Sequence, residues 1–533
     1  MAETKAKKNK PGIVRRIFKW IGLTLLSLLL IAALIFQAPW KVITLLLIIL
    51  LSCTALPKPA RKWFWLSAAA VVIALIIWVF LPDDNESWRP YTFDKELAAL
   101  EAKYAIPDSE NAAIIYNQLL EDYDESSLWP DFLDDDLDDL TRREPWSSKN
   151  YPEIAEWLKG QQSTIETLIQ AAKIEKCRFP ISKDIFDFVS VPSLAAMRHW
   201  AFLLVRAGNN DLAENSTDEA LEKYITILQM AKHIRQQPVM TELLVSIAIE
   251  GVAIGQFKRL VVTGDATNES LEFVSKALPE LKNTWGNDWP TILDYEKIYT
   301  KNSFGRLYQV NEDGKVRFCR SLESFVPKES GITLSYLRGK IWKLTTIWLW
   351  FVLPHSPQKA GKLLDEEFTK YYEMADPNYP WPSQSPEFTL PKVSWLPWRF
   401  MDSAKPFEFM YHHFHDIYLR TIAGRRGIKI LIALRRYKNK TGQWPGALDD
   451  IKSIAPVEIF VDPINGSSFV YKLTEENFTL YSKGKNKIDE DGIRRVTFDP
   501  NDLKWPKTEE DDILIWPPKT RKIKEENADA EQQ

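Results

Sequence analysis

Three apolar stretches crowd the first 82 residues, at about Trp20–Phe36, Val42–Leu56 and Trp63–Leu81, and they limit what this chain can become. A helix needs roughly 20 apolar residues to cross a hydrocarbon core. The outer two stretches approach that length, and the middle one works near the lower limit. Pro39 and the pair Pro57 and Pro59 mark the breaks, since proline ends or kinks a helix. A cleaved signal peptide fits poorly, because no small-residue cleavage site follows the first stretch and two more apolar runs do. Residues 1–82 are therefore expected to form a membrane anchor of three transmembrane helices.

Charge sets the expected orientation. Seven Lys/Arg precede the first stretch (Lys5, Lys7, Lys8, Lys10, Arg15, Arg16, Lys19), and the first loop has only Lys41. The second loop has Lys58, Arg61 and Lys62, and the third stretch exits into Asp83-Asp84-Asn85-Glu86. Basic loops stay on the cytoplasmic side. The expectation is a multi-pass protein of the inner (cytoplasmic) membrane, N-terminus in the cytoplasm, residues 83–533 on the non-cytoplasmic side. Outside the anchor 57 basic residues face 71 acidic ones. An acidic body argues against nucleic acid as a partner, since nucleic-acid binding wants a basic face. The partners expected are the lipid bilayer and an envelope protein complex. Cys177 and Cys319 fall in the exported part, where they form either a disulfide or two buried thiols.

The exported body, 83–376, reads as an irregular helical bundle. Leu97, Leu100 and Tyr104 recur at helical spacing, as do Ile115, Leu119 and Tyr123. Asp108 or Ser109 is placed to cap the second of these helices. Ser216-Thr-Asp-Glu219 has the form of a capping box opening a helix over 217–236, and Pro238 opens another over 238–263 that is almost apolar all round. No fixed period recurs, so a regular solenoid is not supported. The acidic run 130–140 lacks the glycine turn of a calcium loop and reads as a solvated loop or a helix start. Leu344–Leu353 is too short to span a bilayer and reads as a core or interfacial helix. Residues 377–403 are a Pro/Trp-rich strap or linker.

Common catalytic signatures are missing: Gly-x-Ser-x-Gly, His-Glu-x-x-His, a Walker loop, Gly-x-Gly-x-x-Gly and Cys-x-x-Cys. One constellation invites chemistry, Glu408-Phe-Met-Tyr-His412-His413-Phe-His415-Asp416. On a helix Glu408, His412 and His415 share a face, enough for three transition-metal ligands. The flanking Phe407, Phe409, Met410, Tyr411 and Phe414 support the other reading, a histidine-rich helix packed in a core.

The C-terminal module, 404–500, carries a helix beginning near Arg425, then Tyr437-Lys-Asn-Lys-Thr-Gly442-Gln-Trp444-Pro445 and the turn Asp462-Pro463-Ile-Asn465-Gly466. Ser468–Leu473, with Tyr471, and Phe478–Ser482 alternate like a hairpin, followed by Tyr481-Ser482-Lys-Gly484 and Asp489-Glu-Asp491-Gly492. This order of motifs over about residues 425–495 resembles the globular domain of type II secretion major pseudopilins. The resemblance implies a helix with a small antiparallel sheet, and a calcium ion held by Asp489 and Asp491 with backbone carbonyls near Tyr481–Lys485. Lys483, Lys485 and Lys487 lie in the same loop, and a plain Gly/Asp turn is the alternative. Pseudopilins begin with one hydrophobic helix and a processing site. Neither adjoins the module here, which excludes a subunit polymerising through that helix. Residues 501–533 read as Trp-Pro turns and a charged disordered tail.

The fold expected is mainly α: three N-terminal transmembrane helices, an irregular exported helical bundle and a small α+β pseudopilin-like C-terminal module. The function expected is a membrane-anchored cell-envelope scaffold or interaction protein, with no enzymatic activity inferred. The alternative is a membrane-bound metal-dependent hydrolase using the Glu408/His412/His415 helix.

Overall fold

The computed structural model describes residues 88–180, 192–319, 356–381, 405–497 and 507–518, apart from positions 265, 280, 282, 377 and 476, with scattered positions before residue 74. The described chain is mainly α, as expected. Its main helices are α1 (Asp94–Tyr104), α2 (Ala113–Glu121), α3 (Glu125–Leu128), α4 (Asp135–Arg143), α5 (Pro152–Gly160), α6 (Gln162–Ala172) and α7 (Pro192–Ala213). They continue with α8 (Thr217–Arg235), α9 (Met240–Thr263), α10 (Asn268–Ala277), α11 (Trp285–Gly305), α12 (Pro357–Tyr372) and α13 (Lys405–Thr441). Among the described residues eight short strands run from β1 (Arg89–Pro90), β2 (Tyr308–Val310) and β3 (Val316–Phe318) to β4 (Val470–Leu473), β5 (Phe478–Ser482), β6 (Arg494–Thr497), β7 (Lys507–Asp511) and β8 (Ile513–Trp516).

The chain divides into two compact units, one of residues 1–93, 300–366 and 391–405, the other of 94–299, 367–390 and 406–533. In the first, β1, β2 and β3 form an antiparallel sheet in that order. Its polar groups are tied down locally: the Phe93 amide donates to Asn302 Oδ1 at 2.7 Å, and the buried Lys301 pairs with Asp365 at 2.8 Å.

The second unit is built on α7, α8 and α9. Trp200, Leu204, Tyr224, Ile227 and Phe257 are buried in one continuous core. Gly208 lets α7 and α8 close, because a Cβ there would meet Tyr224 Cε1 at 2.6 Å. The expected helices over 217–236 and 238–263 are found at 217–235 and 240–263. Their starts differ from expectation. Ser216 has φ −97° and ψ 67° and makes no side-chain cap, and Pro238 lies two residues before α9, whose cap position is Val239. Neither Asp108 nor Ser109 caps α2; Asn111 Oδ1 accepts the Ala113 amide at 3.0 Å instead. The acidic run does start a helix, with Asp134 accepting from the amides of Asp136 and Leu137. Asp138 is the exception to its solvated reading: it is buried and ion-paired to Arg206 and Arg142.

The helix that opens near Arg425 in the sequence reading begins at Lys405 and runs 37 residues to Thr441, so it also carries the histidines. Ala423, Ile428, Leu431 and Leu434 sink into the same core as Trp200 and Phe257. Fully burying one such side chain contributes about 1.5–3 kcal/mol. Polar links fix the helix in register: Arg425 to Glu250, Arg436 to Glu272 at 2.5 Å and Asn439 to the Ala266 carbonyl at 3.0 Å.

The hairpin expected over 468–482 is present as β4 and β5, paired Val470 to Tyr481 through Leu473 to Phe478. The module runs past residue 500, however. β8 pairs with β5 to complete a sheet of order β4-β5-β8, and β7 pairs with β6. Ile515 and Trp516 are buried, so Ile513–Trp516 is an edge strand facing the core where the Trp-Pro dipeptide suggested a turn.

Among the described residues one helix, Met240–Thr263, is long and apolar enough to cross a membrane, where the sequence reading expects three. Half of its apolar window is buried within the protein. The three N-terminal stretches fall almost wholly outside the described residues, as do Leu344–Leu353 and most of the Pro/Trp-rich strap. Cys177 and Cys319 are both buried and form no disulfide, and burial pushes the Cys177 thiol up to about 12.

Candidate metal centre

Two sets of residues are expected to hold metal, and the structure gives each a different setting. On α13, His412 and His415 are buried. The His415 ring stacks on Trp381 with centroids 3.8 Å apart and planes 5° from parallel, and Trp285 meets it edge-on at 5.0 Å. His412 meets the same Trp381 edge-on at 5.0 Å. Burial pushes the His415 imidazole down to about 4, so it is neutral near pH 7. The side chain of Glu408 lies outside the described residues. The imidazoles thus sit among indole rings, the surroundings of a packed aromatic core.

The C-terminal loop is held from below by Asp462. This fully buried carboxylate accepts from the Ile464 amide at 2.9 Å, Asn465 Nδ2 at 2.7 Å and Ser482 Oγ at 2.5 Å. Asn465 Nδ2 also donates to the Gly484 carbonyl at 2.8 Å, which joins the 462–466 turn to the loop after β5. Gly484 has φ +59°, and a Cβ there would collide with the Asp511 carboxylate, so two separate constraints demand glycine.

Asp489 and Asp491, the expected calcium ligands, are occupied otherwise. Both pair with Lys472, and Asp489 Oδ1 also accepts the Tyr481 hydroxyl at 2.5 Å. The Tyr481 hydrogen bond is the main reason the Asp489 carboxyl lies below its usual range. Asp491 is in the left-handed region at φ +55° and its side chain is 78% exposed. These two carboxylates tie the loop between β5 and β6 to Lys472 of β4.

A different trio converges instead. Glu490, Asp511 and Asp512 each offer a carboxylate oxygen, all within 4.8 Å of one another. Loop and strand supply the placement. Glu490 Oε2 accepts the Asp511 amide at 2.6 Å, Asp511 Oδ2 accepts the Lys485 amide at 2.7 Å, and Asp512 Oδ2 accepts the Glu490 and Gly492 amides at 2.9 and 2.8 Å. Asp512 is fully buried. Its Oδ1 and that of Asp511 are buried without a hydrogen-bond partner. Burial, with the charges of Glu490 and Asp489 added, holds the Asp512 carboxyl above its usual range. Hard oxygens gathered around buried unpaired lone pairs suit a dication such as Ca²⁺. One of the three lysines that oppose a cation here, Lys485, is drawn away to the buried Asp416 of α13.

Sequence proximity hid this trio, since Glu490 stands between the two aspartates that drew attention and its partners lie 21 and 22 residues on. The signal was the doublet Asp511-Asp512 directly before an apolar strand. No protein-family model matches this chain, and neither a curated protein nor a solved structure does so.

Proposed function

We propose that this protein is a membrane-anchored scaffold of the cell envelope, held in the inner membrane by three spans within residues 1–82, with residues 83–533 on the non-cytoplasmic side. The apolar stretches and the alternation of basic loops support that placement. The observation that carries the scaffold reading is the shared core. Ile428 and Leu431 of α13, Leu480 of β5 and Ile515 of β8 belong to the same buried cluster as Trp200 and Phe257. Helical body and C-terminal sheet therefore present their surfaces in one fixed arrangement, which suits the docking of other proteins.

In this reading the C-terminal module is like a pseudopilin head, and calcium is held by Glu490, Asp511 and Asp512 rather than by Asp489 and Asp491. The ion would supply charge neutralisation, fixing the 483–492 loop to the junction between β7 and β8. The chain's own residues do the positioning, through the amides of Lys485, Glu490, Asp511 and Gly492.

The test is affinity purification of the full-length protein from its native membrane, with quantitative mass spectrometry, beside protease protection of oriented vesicles. A stoichiometric envelope partner and a body cleaved only from the non-cytoplasmic face are expected. A body cleaved only from the cytoplasmic face would overturn the topology, and a partnerless protein the scaffold role.

A further inference from the structure

Within the second unit, α8, α9, the end of α10, α11 and one residue of α13 line an open-mouthed cavity of about 650 Å³. That volume is in the range of small-molecule sites. Its wall is of two kinds. Leu228, Leu243, Leu278 and Ile292 make an apolar side, while Arg235, Glu250, Asp288 and Arg425 make a charged one.

The charged side is unevenly satisfied. Glu250 is gripped by Arg425, Nε to Oε1 at 2.5 Å and Nη2 to Oε2 at 2.7 Å. Asp288 Oδ2 accepts the hydroxyls of Thr284 at 2.8 Å and Tyr418 at 2.9 Å. Both carboxylates are thus committed to other donors. Arg235 is left facing them at 3.6 Å from Glu250 and 3.9 Å from Asp288, beyond hydrogen-bond distance. Its guanidinium lies 5.0 Å from the Tyr418 ring centroid. Both of its Nη atoms are buried without a hydrogen-bond partner, and the side chain as a whole is 18% exposed. A guanidinium is always charged and its paired donors match a carboxylate. These donors are ion-paired yet make no hydrogen bond, so their bonding capacity is unused.

We propose that this cavity binds a small organic monocarboxylate, its carboxylate taken by Arg235 and its apolar body by the Leu228–Leu243–Leu278 side. Lys232 and Lys276 are on the same lining, paired to Glu175 at 3.4 Å and to Glu272 at 3.6 Å. A single negative charge fits better than two, because Glu250 and Asp288 already lie within 4 Å of the same guanidinium and would repel a phosphate dianion. The apolar wall sets the other requirement, a hydrocarbon or aromatic body that inorganic anions lack.

Equilibrium dialysis of radiolabelled hexanoate against the detergent-solubilised full-length protein tests this. One saturable equivalent per chain is expected, displaced by 4-phenylbutyrate and not by hexanol, hexylamine or inorganic phosphate. Arg235→Gln should weaken binding at least tenfold. Thr291→Trp, which fills the cavity from its lining and leaves Arg235 in place, should do the same and decides the matter if Arg235→Gln does not fold. Absence of saturable binding would overturn the proposal, as would binding unchanged in either folded variant. Equal displacement by phosphate would reduce the site to a general anion patch and overturn it too. Tighter binding of acetyl-Ala-Leu than of hexanoate would reassign the pocket to a polypeptide C-terminus and overturn the small-acid assignment.

Discussion

Arg425 and Glu250 form a two-pronged ion pair across 175 residues of sequence, both side chains less than a tenth exposed. Removing one member strands the other in the core. Glu250→Ala is expected to cost about 3–5 kcal/mol, read as a lowered denaturation midpoint of the solubilised protein. Replacing both partners by leucine should cost much less than Glu250→Ala alone. A double variant as unstable as the single one would show that the pair contributes through something other than charge compensation.

His415 makes stability depend on acid. Its folded pKa of about 4 lies below the ordinary value of 6.5, so the folded protein binds this proton less readily than the unfolded chain. The contribution is complete above about pH 6.5 and is lost as pH falls from there towards 4. His233, also pushed down to about 4 by burial, titrates in the same window. Burial also lowers His199 and His413, and His415→Phe keeps a ring against Trp381 while removing one of these protons. Its unfolding free energy should fall less steeply between pH 6.5 and 4 than that of the parent, and an identical slope would contradict the assignment.

Calcium should raise the melting temperature of the full-length protein, and EGTA should reverse the rise. Asp512→Asn and Asp511→Asn are expected to abolish the response, whereas Asp491→Asn should retain it. Loss of the response in Asp491→Asn alone would return the site to the originally expected pair.

Gly427 sets how closely α13 approaches β8. A Cβ there would meet Ile515 Cγ2 at 2.6 Å. Gly427→Val should destabilise the protein by about 1–3 kcal/mol through overpacking, and Ile515→Ala in the same chain should recover part of the loss. Destabilisation that Ile515→Ala only deepens would place the strain elsewhere.

The elements that could be read from sequence are those whose signal is local. The stripes of α8 and α9 and the alternation of β4 and β5 need only neighbours at 3.6 or 2 residues, and they appear within a few positions of expectation. α13 was legible only in pieces, because Arg420, Arg425 and Arg426 interrupt its apolar pattern. The burial of Arg425 depends on Glu250, which no window around residue 425 contains. The same limit hid the acidic trio. Asp489 and Asp491 stand out by spacing, yet Lys472 on β4 claims both, while Glu490 finds its companions on β7 and just beyond it. Tight turns were clearer. The Asp462–Gly466 turn was readable because Asp and Gly supply the side-chain acceptor and the positive φ it uses, +75° at Gly466.

The place of α13 in the core also has a temporal consequence. Phe257 and Trp200 are buried in a cluster that includes Ala423, Ile428 and Leu431 of α13 and Leu480, Ile515 and Trp516 of the sheet. A ribosome makes those segments well after α7 and α9. While the chain grows, the faces of α7 and α9 that receive them stay uncovered for the time taken to add more than 150 further residues after Thr263, about 8–30 s at ordinary elongation rates. Nascent chains of this protein should therefore be held by chaperones until very late, and chains stalled or cut before Trp516 should be cleared rather than accumulate as a stable shorter form.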